Sequence, residues 1–254
     1  MQTFLALIER DIRVLRRDFL DFATRIIVQP FLFVFVFGYV LPGIGQVKPG
    51  YVNLLLPGIL AASMMMAGVQ GTAIPLSTEF GYTKEIEDRL MSPISTPALI
   101  AQKITMGTLQ AWIAAALVFP IAWLIMRNNL HISISSFPLL FVFILLVGLA
   151  SAGWGLALGT IIDPFKLPIM FATMVIPAIF LGATYYPWKA LAKIKWLQEL
   201  ILINPMVYAS EGFRSVITPQ IPHIPWFLSV LGLLAGIVFL TYLGVRGFLK
   251  RAYS

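Results

Sequence analysis

Residues 79–93 form a charged segment, and it is the part of the chain best suited to ionic interactions. Six charged side chains lie within this segment: Glu79, Lys84, Glu85, Glu87, Asp88 and Arg89. The four acids among them belong to a total of only eleven acidic residues in the whole chain. Ile86 and Leu90 lie between the charges, so a short amphipathic helix would present them as apolar anchors beside an ionic surface. We interpret the segment as a docking site for a partner, although an ordinary solvated loop could have the same composition.

Residues that could support catalysis or bind a metal are scarce. The sequence has two histidines, His131 and His223, and no cysteine, so a histidine–carboxylate or thiolate centre is not predicted. The H-E-x-x-H and G-x-S-x-G motifs are absent, as is the phosphate-binding G-x-x-x-x-G-K-[ST] motif. We therefore expect no catalytic residue, no metal site and no cofactor bound by this chain itself.

The elements that must position the charged segment are membrane-spanning helices. The chain is 59% hydrophobic and only 11% charged, whereas soluble domains are about 25% charged. A helix needs about 20 apolar residues to cross the hydrocarbon core. Six stretches meet or approach this length: 24–43, 52–76, 98–126, 137–162, 167–184 and 222–248. We expect an all-α integral membrane protein with one transmembrane domain over residues 1–254.

The N-terminal residues 1–22 are typical of an amphipathic helix. Apolar residues recur every three or four positions at Phe4, Ile8, Ile12, Leu15, Phe19 and Phe22, which produces one apolar stripe. Glu9 and Arg13 have the i,i+4 spacing that favours a helical ion pair. The pattern predicts a helix in the membrane interface before the first span, and a cytosolic extension of that span is the alternative.

The distribution of basic residues predicts that both termini are cytoplasmic. With that orientation, twelve of the eighteen Lys and Arg residues lie in cytoplasmic segments, Lys103 counted among them, in agreement with the positive-inside rule. The net charge of +7 is thereby explained by topology and does not indicate nucleic-acid binding. The charged segment 79–93 then lies in the cytoplasm, between spans two and three.

Residues 185–221 are too polar to cross the membrane and too apolar for a solvated loop. The aromatic run Tyr185-Tyr186-Pro187-Trp188 suits the membrane–water boundary. Asn204-Pro205 predicts a break between two helices, so we expect one or two short helices that dip into the outer leaflet. Glu211 and Arg214 have a helical i,i+3 spacing, and a surface ion pair is the simplest interpretation of Arg214.

The predicted spans contain no internal carboxylate or lysine. A charge near the centre of a bilayer costs about 2.5–3.5 kcal/mol on insertion scales, and ion-coupled carriers commonly retain such charges for their relays. Their absence disfavours a self-sufficient secondary carrier. We expect the energy for transport to come from a separate ATPase that docks at residues 79–93.

Four short motifs carry a family resemblance over essentially the whole chain. They are Leu56-Pro57-Gly58, the segment Leu90-Met-Ser-Pro93, Leu181-Gly182 before Tyr185-Tyr186, and Asn204-Pro205-Met-Val-Tyr208 followed by Gly212-Phe213-Arg214. Together they resemble the permease subunits of ABC-2-type ATP-binding-cassette transporters, particularly the nodulation-factor and daunorubicin-type exporters. The last motif, at this distance from the C-terminus, is the most specific of the four.

The resemblance implies an amphipathic connecting helix, six spans, a cytoplasmic coupling helix and short re-entrant outer helices before the last span. The ATPase-coupling region would contain Glu79, Gly81, Tyr82, Glu85, Asp88, Arg89 and Pro93. The outer gate would contain Tyr185, Tyr186, Asn204, Pro205, Tyr208 and Arg214. Possible pathway-lining residues are Phe33, Phe37, Met65 and Gln70.

The resemblance also implies a function: export of an amphipathic, lipid-linked or drug-like substrate across a bacterial-type cytoplasmic (inner) membrane. Two copies of the chain would form the pathway among membrane lipids. Each copy would engage one nucleotide-binding subunit, which would hold ATP and Mg. One alternative is a polysaccharide or lipid-linked glycan exporter of the same family. Another is a membrane-embedded lipid-modifying enzyme, for which Asp163, Glu199 and Glu211 are the possible acid–base residues.

Overall fold

The computed structural model describes residues 2–46, 51–83, 85–86, 95–126 and 133–252. Within these ranges the chain is largely helical and contains no strand. The helices are α1 (Gln2–Arg17), α2 (Phe19–Gly43), α3 (Tyr51–Gly81), α4 (Thr96–Met126), α5 (Phe137–Ile161), α6 (Pro164–Phe180), α7 (Lys195–Leu200), α8 (Pro205–Ile217) and α9 (Trp226–Ala252). Short 3-10 segments flank α7 at Trp188–Lys193 and Ile201–Ile203.

The expected all-α membrane fold is confirmed. Helices α2, α3, α4, α5 and α9 are each long and apolar enough to cross a membrane. Helix α6 corresponds to the fifth predicted span, 167–184, but its 17 residues reach only about 25 Å at 1.5 Å per residue. It ends at Phe180, and the chain then forms a turn that packs on α3.

Helix α3 is the centre of the bundle and packs against α4, α5 and α8. Its contact with α5 depends on the Gly155-x-x-x-Gly159 pair, where a β-carbon would lie 2.6 Å from the Val69 carbonyl oxygen and 3.0 Å from Ala73 Cα, respectively. The two backbones therefore approach as closely as the small-residue motif predicts. This packing makes α3 a rigid connection between the two ends of the bundle.

The amphipathic N-terminal segment is shorter than the predicted 1–22. Helix α1 ends at Arg17, Asp18 leaves the helical conformation (φ −102°, ψ 24°), and α2 begins at Phe19. Phe19 and Phe22 therefore belong to the first long helix. Apolar spacing alone could not locate this break, because the stripe continues across Asp18 without interruption.

Helix α2 carries aromatic side chains on two faces. Phe33 and Phe37 pack inward against Tyr185, with ring centroids 5.2 and 6.2 Å from its ring. Phe31, Phe35 and Tyr39 stack along the opposite, exposed face. The π-helical stretch Val36–Val40 includes Phe37 of the inward row and Tyr39 of the exposed row. The exposed row leaves an apolar surface that lipid or another protein must cover.

The stretch 185–221 contains two α-helices separated at Asn204, as the sequence predicts. Helix α8 is not a surface helix: nearly all of its residues are buried among α3, α5 and α9. The amides of Ser133 and Ser135 donate to the carbonyls of Ile217 and Val216, at 3.3 and 3.0 Å, and so satisfy its C-terminal end. This region is an integral part of the bundle.

Candidate functional site

A buried ion pair joins α3 to α4 at one end of the bundle, called here the Glu79 end. Lys103 Nζ lies 2.6 Å from Glu79 Oε1, and the two side chains are only 3% and 8% exposed. The expectation that no predicted span holds a lysine is wrong here, because Lys103 lies inside α4 and within the predicted span 98–126. Removal of one partner from a buried pair is strongly destabilising, so this pair fixes the two helices together.

Helix α1 attaches to the same end through polar contacts. The Asp11 carboxylate accepts a hydrogen bond from the Gln102 amide on α4 and binds Arg10 at 2.9 Å. Arg10 also lies 3.8 Å from the Glu85 carboxylate. Arg10 therefore connects the amphipathic helix to the charged segment 79–93, which the sequence predicts as a docking site.

The predicted coupling residues lie in two environments. Glu79 and Gly81 belong to the last turns of α3, and a side chain on Gly81 would collide with Pro164. The Tyr82 ring packs edge-on against Phe165 at 5.2 Å. Glu85 is half-buried beside Arg10, whereas Asp88, Arg89 and Pro93 lie outside the described residues. The described part of the segment thus contacts α1 and the start of α6.

A second buried ion pair lies at the opposite end of the bundle, called here the Arg214 end. Arg214 and Glu211 of α8 form a salt bridge, and neither side chain is exposed at all. The Glu211 carboxylate also accepts the Trp188 amide at 2.9 Å and the Ile224 amide at 2.7 Å. Arg214 Nη2 donates to the Ala183 carbonyl at 2.8 Å and to the Leu54 carbonyl at 3.5 Å.

This arrangement holds four parts of the chain together around one charge pair. They are α8, the turn after α6, the segment that enters α9, and the first turns of α3. The interpretation of Arg214 as a surface charge is wrong: the predicted pairing with Glu211 is present, but both groups are fully buried. Five polar contacts offset much of the desolvation of the two ions.

The turn between α6 and α7 is packed directly on α3 at the Leu56-Pro57-Gly58 motif. A β-carbon on Gly58 would lie 2.6 Å from Thr184 C and 2.7 Å from Thr184 Cα. Ala183, the preceding residue, has a positive φ of 54°, and Thr184 Oγ1 donates to the Ile179 carbonyl at 2.6 Å. Only glycine permits this approach of two backbones, which explains the motif in physical terms.

Asn204, Pro205 and Tyr208 shape the start of α8. Asn204 Oδ1 caps the helix by accepting the Met206 amide at 3.0 Å, while its Nδ2 donates to the Ala178 carbonyl at 2.6 Å. Pro205 occupies the first helical position, where its missing N–H is not needed. The Tyr208 hydroxyl donates to the Leu202 carbonyl at 2.8 Å. These residues tie α8 to α6 and to the preceding turn.

Tyr185 connects the predicted gate to the predicted pathway residues. Its ring contacts Phe33, Phe37 and Phe180, and its carbonyl accepts the Tyr51 hydroxyl at 3.4 Å. Burial, with a smaller contribution from Tyr51, raises the pKa of Tyr185 to about 12. The Tyr186 hydroxyl donates to the Phe180 carbonyl, also at 3.4 Å.

A cavity of about 460 Å³ lies between α1–α2 and α3–α4, beside the Glu79 end. A smaller cavity of about 30 Å³ adjoins it, with Ile26, Ala67 and Gln70 in the walls of both. The smaller one reaches Phe33 and Tyr185. The two cavities together follow α2 and α3 from the Glu79 end towards the Arg214 end.

The predicted pathway residues differ in their relation to these cavities. Gln70 lines both cavities and Phe33 lines the smaller one. Phe37 packs on Tyr185. Met65 has no exposed surface and lies in the core, and the neighbouring Met66 faces the smaller cavity instead. The rotation of α3 about its axis decides between the two methionines, and sequence spacing did not determine it.

Sequence reasoning missed Lys103, the Asp11–Gln102 contact and the structural part played by Glu211. One signal was present for Lys103, since a lone lysine inside an apolar stretch requires a partner. Glu79, just after the preceding span, was one of the acids that could supply it. The Asp11–Gln102 contact had no such signal, because its residues are 91 positions apart.

Comparison with known proteins gives a consistent result. The family model described as "ABC-2 type transporter" matches residues 2–218. Over 166 residues, the chain is 26% identical to the protein named inner membrane transport permease YadH of Escherichia coli strain K12, and equally to that of Shigella flexneri. The aligned region covers 65% of this chain and 62% of those relatives, so it spans less than two thirds of their length. Because the family model covers most of the sequence, the chain belongs to the ABC-2 type transporter family.

Proposed function

We propose that this chain is the permease subunit of an ATP-driven exporter. The observation that carries the proposal is the junction at the Glu79 end, where α1, α3, α4 and the charged segment meet. Arg10 contacts Glu85 across this junction, and the buried Glu79–Lys103 pair joins the two long helices behind it. A force applied at the charged segment would therefore reach α3 and α4 directly.

The energy source is a separately encoded ATP-binding-cassette subunit, present in two copies and carrying ATP and Mg. Glu85, Asp88 and Arg89 supply charges for docking, and Leu90 supplies an apolar anchor. The expectation that Ile86 is a second anchor is wrong, because Ile86 is only 4% exposed and lies in a buried cluster of this chain with Leu76 and Leu99. Membership of the ABC-2 type family supports this partner, because the chain itself has no phosphate-binding loop. Nucleic acid is not expected to bind.

A second copy of the chain completes the pathway. Helices α2 and α6 each leave long apolar side chains exposed, including Phe31 and Phe35 on α2 and Ile169 and Met174 on α6. A soluble protein would not expose such surfaces, so protein or lipid must cover them. We assign the α2–α6 face to the second copy and the α9 face, with exposed Val238 and Phe239, to membrane lipid.

The proposed location is the bacterial cytoplasmic (inner) membrane, with both termini in the cytoplasm. The positive-inside distribution supports this orientation, and the relatives are named as inner membrane permeases. The Glu79 end is then cytoplasmic and the Arg214 end faces outward, which makes the turn over Gly58 and the Tyr185 aromatic cluster the outer gate.

Export of an amphipathic, lipid-linked or drug-like molecule fits the mixed polar and apolar cavities best, and a glycan exporter of the same family is the alternative. A lipid-modifying enzyme fits less well. Of its possible acid–base residues, Glu211 is fully buried and already accepts three hydrogen bonds, and the Asp163 carboxylate caps the Phe165 amide. The Glu211 carboxylate is therefore not available to an acyl or phosphoryl group.

Alanine substitution of Glu85, Asp88 and Arg89 tests the docking role of the charged segment. The variant should recover at least about tenfold less ATP-binding-cassette subunit on affinity purification, because removal of interfacial charges typically costs about 2–5 kcal/mol. ATP hydrolysis in the purified fraction should fall in parallel. Glu199→Ala at the exposed surface of α7 is the control and should change neither. Unchanged recovery and hydrolysis in the triple variant would reject this docking site.

A further inference from the structure

The larger cavity has the dimensions of a small-molecule site. Its volume of about 460 Å³ lies within the range of about 300–1,000 Å³ found for ligand pockets. Much of its wall is apolar, formed by Val14, Leu15, Phe22, Ile26, Ile74 and Met106. Walls of this kind accommodate the body of a ring-containing or branched apolar molecule.

Among the side chains that the structure describes, the charged ones around the cavity are predominantly acidic. Asp11, Asp18, Asp21, Glu79 and Glu85 line it, against Arg10 and Lys103. Both cations are already engaged, Arg10 with Asp11 at 2.9 Å and Lys103 with Glu79 at 2.6 Å. Asp18 and Asp21 are exposed, and neither forms a hydrogen bond or ion pair with any side chain that the structure describes. An acidic excess of this kind, in a chain of net charge +7, favours a cation.

The inner end of the cavity is polar but uncharged. Gln70 and Gln110 line it and are half-buried, and Gly71 packs directly against the Gln110 amide. Gln70 continues into the smaller cavity that reaches Tyr185. A molecule held in the larger cavity therefore lies next to the smaller cavity, which extends towards the Arg214 end.

We propose that this cavity binds a lipophilic organic cation, with its apolar body against the α2–α3 wall and its charge beside Asp18 and Asp21. The proposal deepens the proposed transport function and rests on it, since the cavity would be where the substrate enters from the cytoplasmic side. It names the substrate class as amphiphiles that carry a positive charge.

A pair of ions with the same shape and opposite charge tests the proposal. Tetraphenylphosphonium and tetraphenylborate are added separately to the purified full-length chain in detergent, and binding is measured by equilibrium dialysis without ATP or any partner. The phosphonium should bind saturably, whereas the borate should not, because the acidic residues repel it. Equal binding of the two ions would overturn the proposal.

Three single variants locate the binding. Asp18→Asn and Asp21→Asn should each weaken phosphonium binding by about tenfold, since each removes a carboxylate near the bound charge. Glu199→Gln removes the same charge from the exposed surface of α7 and should leave binding unchanged. Equal affinity in the wild-type protein and both aspartate variants would contradict the assignment.

A cavity-filling variant tests the location without any change of charge. Ile74 lies on the cavity wall and is 37% exposed, so Ile74→Trp should occupy the cavity without disturbing the core. Phosphonium binding should be lost while the melting temperature stays close to wild type. Retained binding in this variant would overturn the site. Because no ATP is present in these assays, their failure is distinct from a failure of ATP-driven transport, which would contradict the proposed function instead.

Discussion

Replacing Arg214 by methionine will lower the free energy of unfolding by about 3–5 kcal/mol, the typical consequence of removing one partner from a buried ion pair. The remaining Glu211 carboxylate would stay fully buried with only two backbone amides to stabilise its charge. The carbonyls of Ala183 and Leu54 would also lose their donor. The midpoint of thermal unfolding in detergent should fall by about 10 °C, at roughly 2–4 °C per kcal/mol.

Matched variants separate this charge effect from a packing effect. Glu211→Gln removes the opposite charge, and the double variant of Glu211→Gln with Arg214→Met removes both. The double variant should be less destabilised than the sum of the two single variants, because no uncompensated charge remains. Arg214→Lys should rescue only part of the loss, since an ammonium lacks the planar fork that reaches several acceptors. A wild-type melting profile for Arg214→Met would show that the ion pair does not stabilise the Arg214 end.

Gly58→Ala should cause the second large effect, through steric collision. The added methyl would lie 2.6–2.7 Å from backbone atoms of Thr184, and the adjacent Ala183 carbonyl is held by Arg214. The turn must therefore shift or become strained. Overpacking of this kind lowers the free energy of unfolding by about 1–3 kcal/mol. We expect a lower melting temperature and an altered environment of Tyr185, measurable by intrinsic fluorescence or by accessibility of a probe attached at that position.

Gly43→Ala is the matched control for the collision. A β-carbon at Gly43 would have no atom within 4 Å, and alanine favours helix by up to about 1 kcal/mol over glycine. This variant should melt at or slightly above the wild-type temperature. If Gly58→Ala behaved like Gly43→Ala, the close contact between α3 and the turn would be refuted.

Both buried ion pairs involve α3, which links the two ends of the bundle: Arg214 donates to the Leu54 carbonyl of α3, and Glu79 belongs to α3. Leu54 and Gly58 are near its start, and Glu79 is near its end. The 25 positions from Leu54 to Glu79 correspond to about 38 Å of helix at 1.5 Å per residue. Because α3 packs along most of this length against α5, we propose that displacement at the charged segment reaches the turn at Thr184 through this helix.

The long helices were predictable because their apolar stretches are continuous, and hydropathy requires no knowledge of neighbours. The break at Asn204 was also predictable, because Pro205 suits the first helical position and Asn204 a cap. In both cases the information is local. The same holds for the pairing of Glu211 with Arg214, which follows from their i,i+3 spacing.

The burial of that pair was not predictable, because it depends on segments distant in sequence. Trp188 and Ile224 must fold over Glu211, and Leu54 must approach Arg214 from another helix. The same reason explains why Met66 rather than Met65 faces the smaller cavity. Helix rotation is determined by packing partners, and only the folded chain specifies them.

Native mass spectrometry of the complex released from its own membrane tests the central claim, that an ATP-binding-cassette subunit drives this permease. The account predicts one assembly with two copies of the 28.2 kDa chain and two copies of an ATP-binding-cassette subunit. The alanine variant at Glu85, Asp88 and Arg89 should yield the permease pair without the second protein. Recovery of the wild-type chain without any ATP-hydrolysing partner, in a preparation that still transports its substrate, would contradict the account.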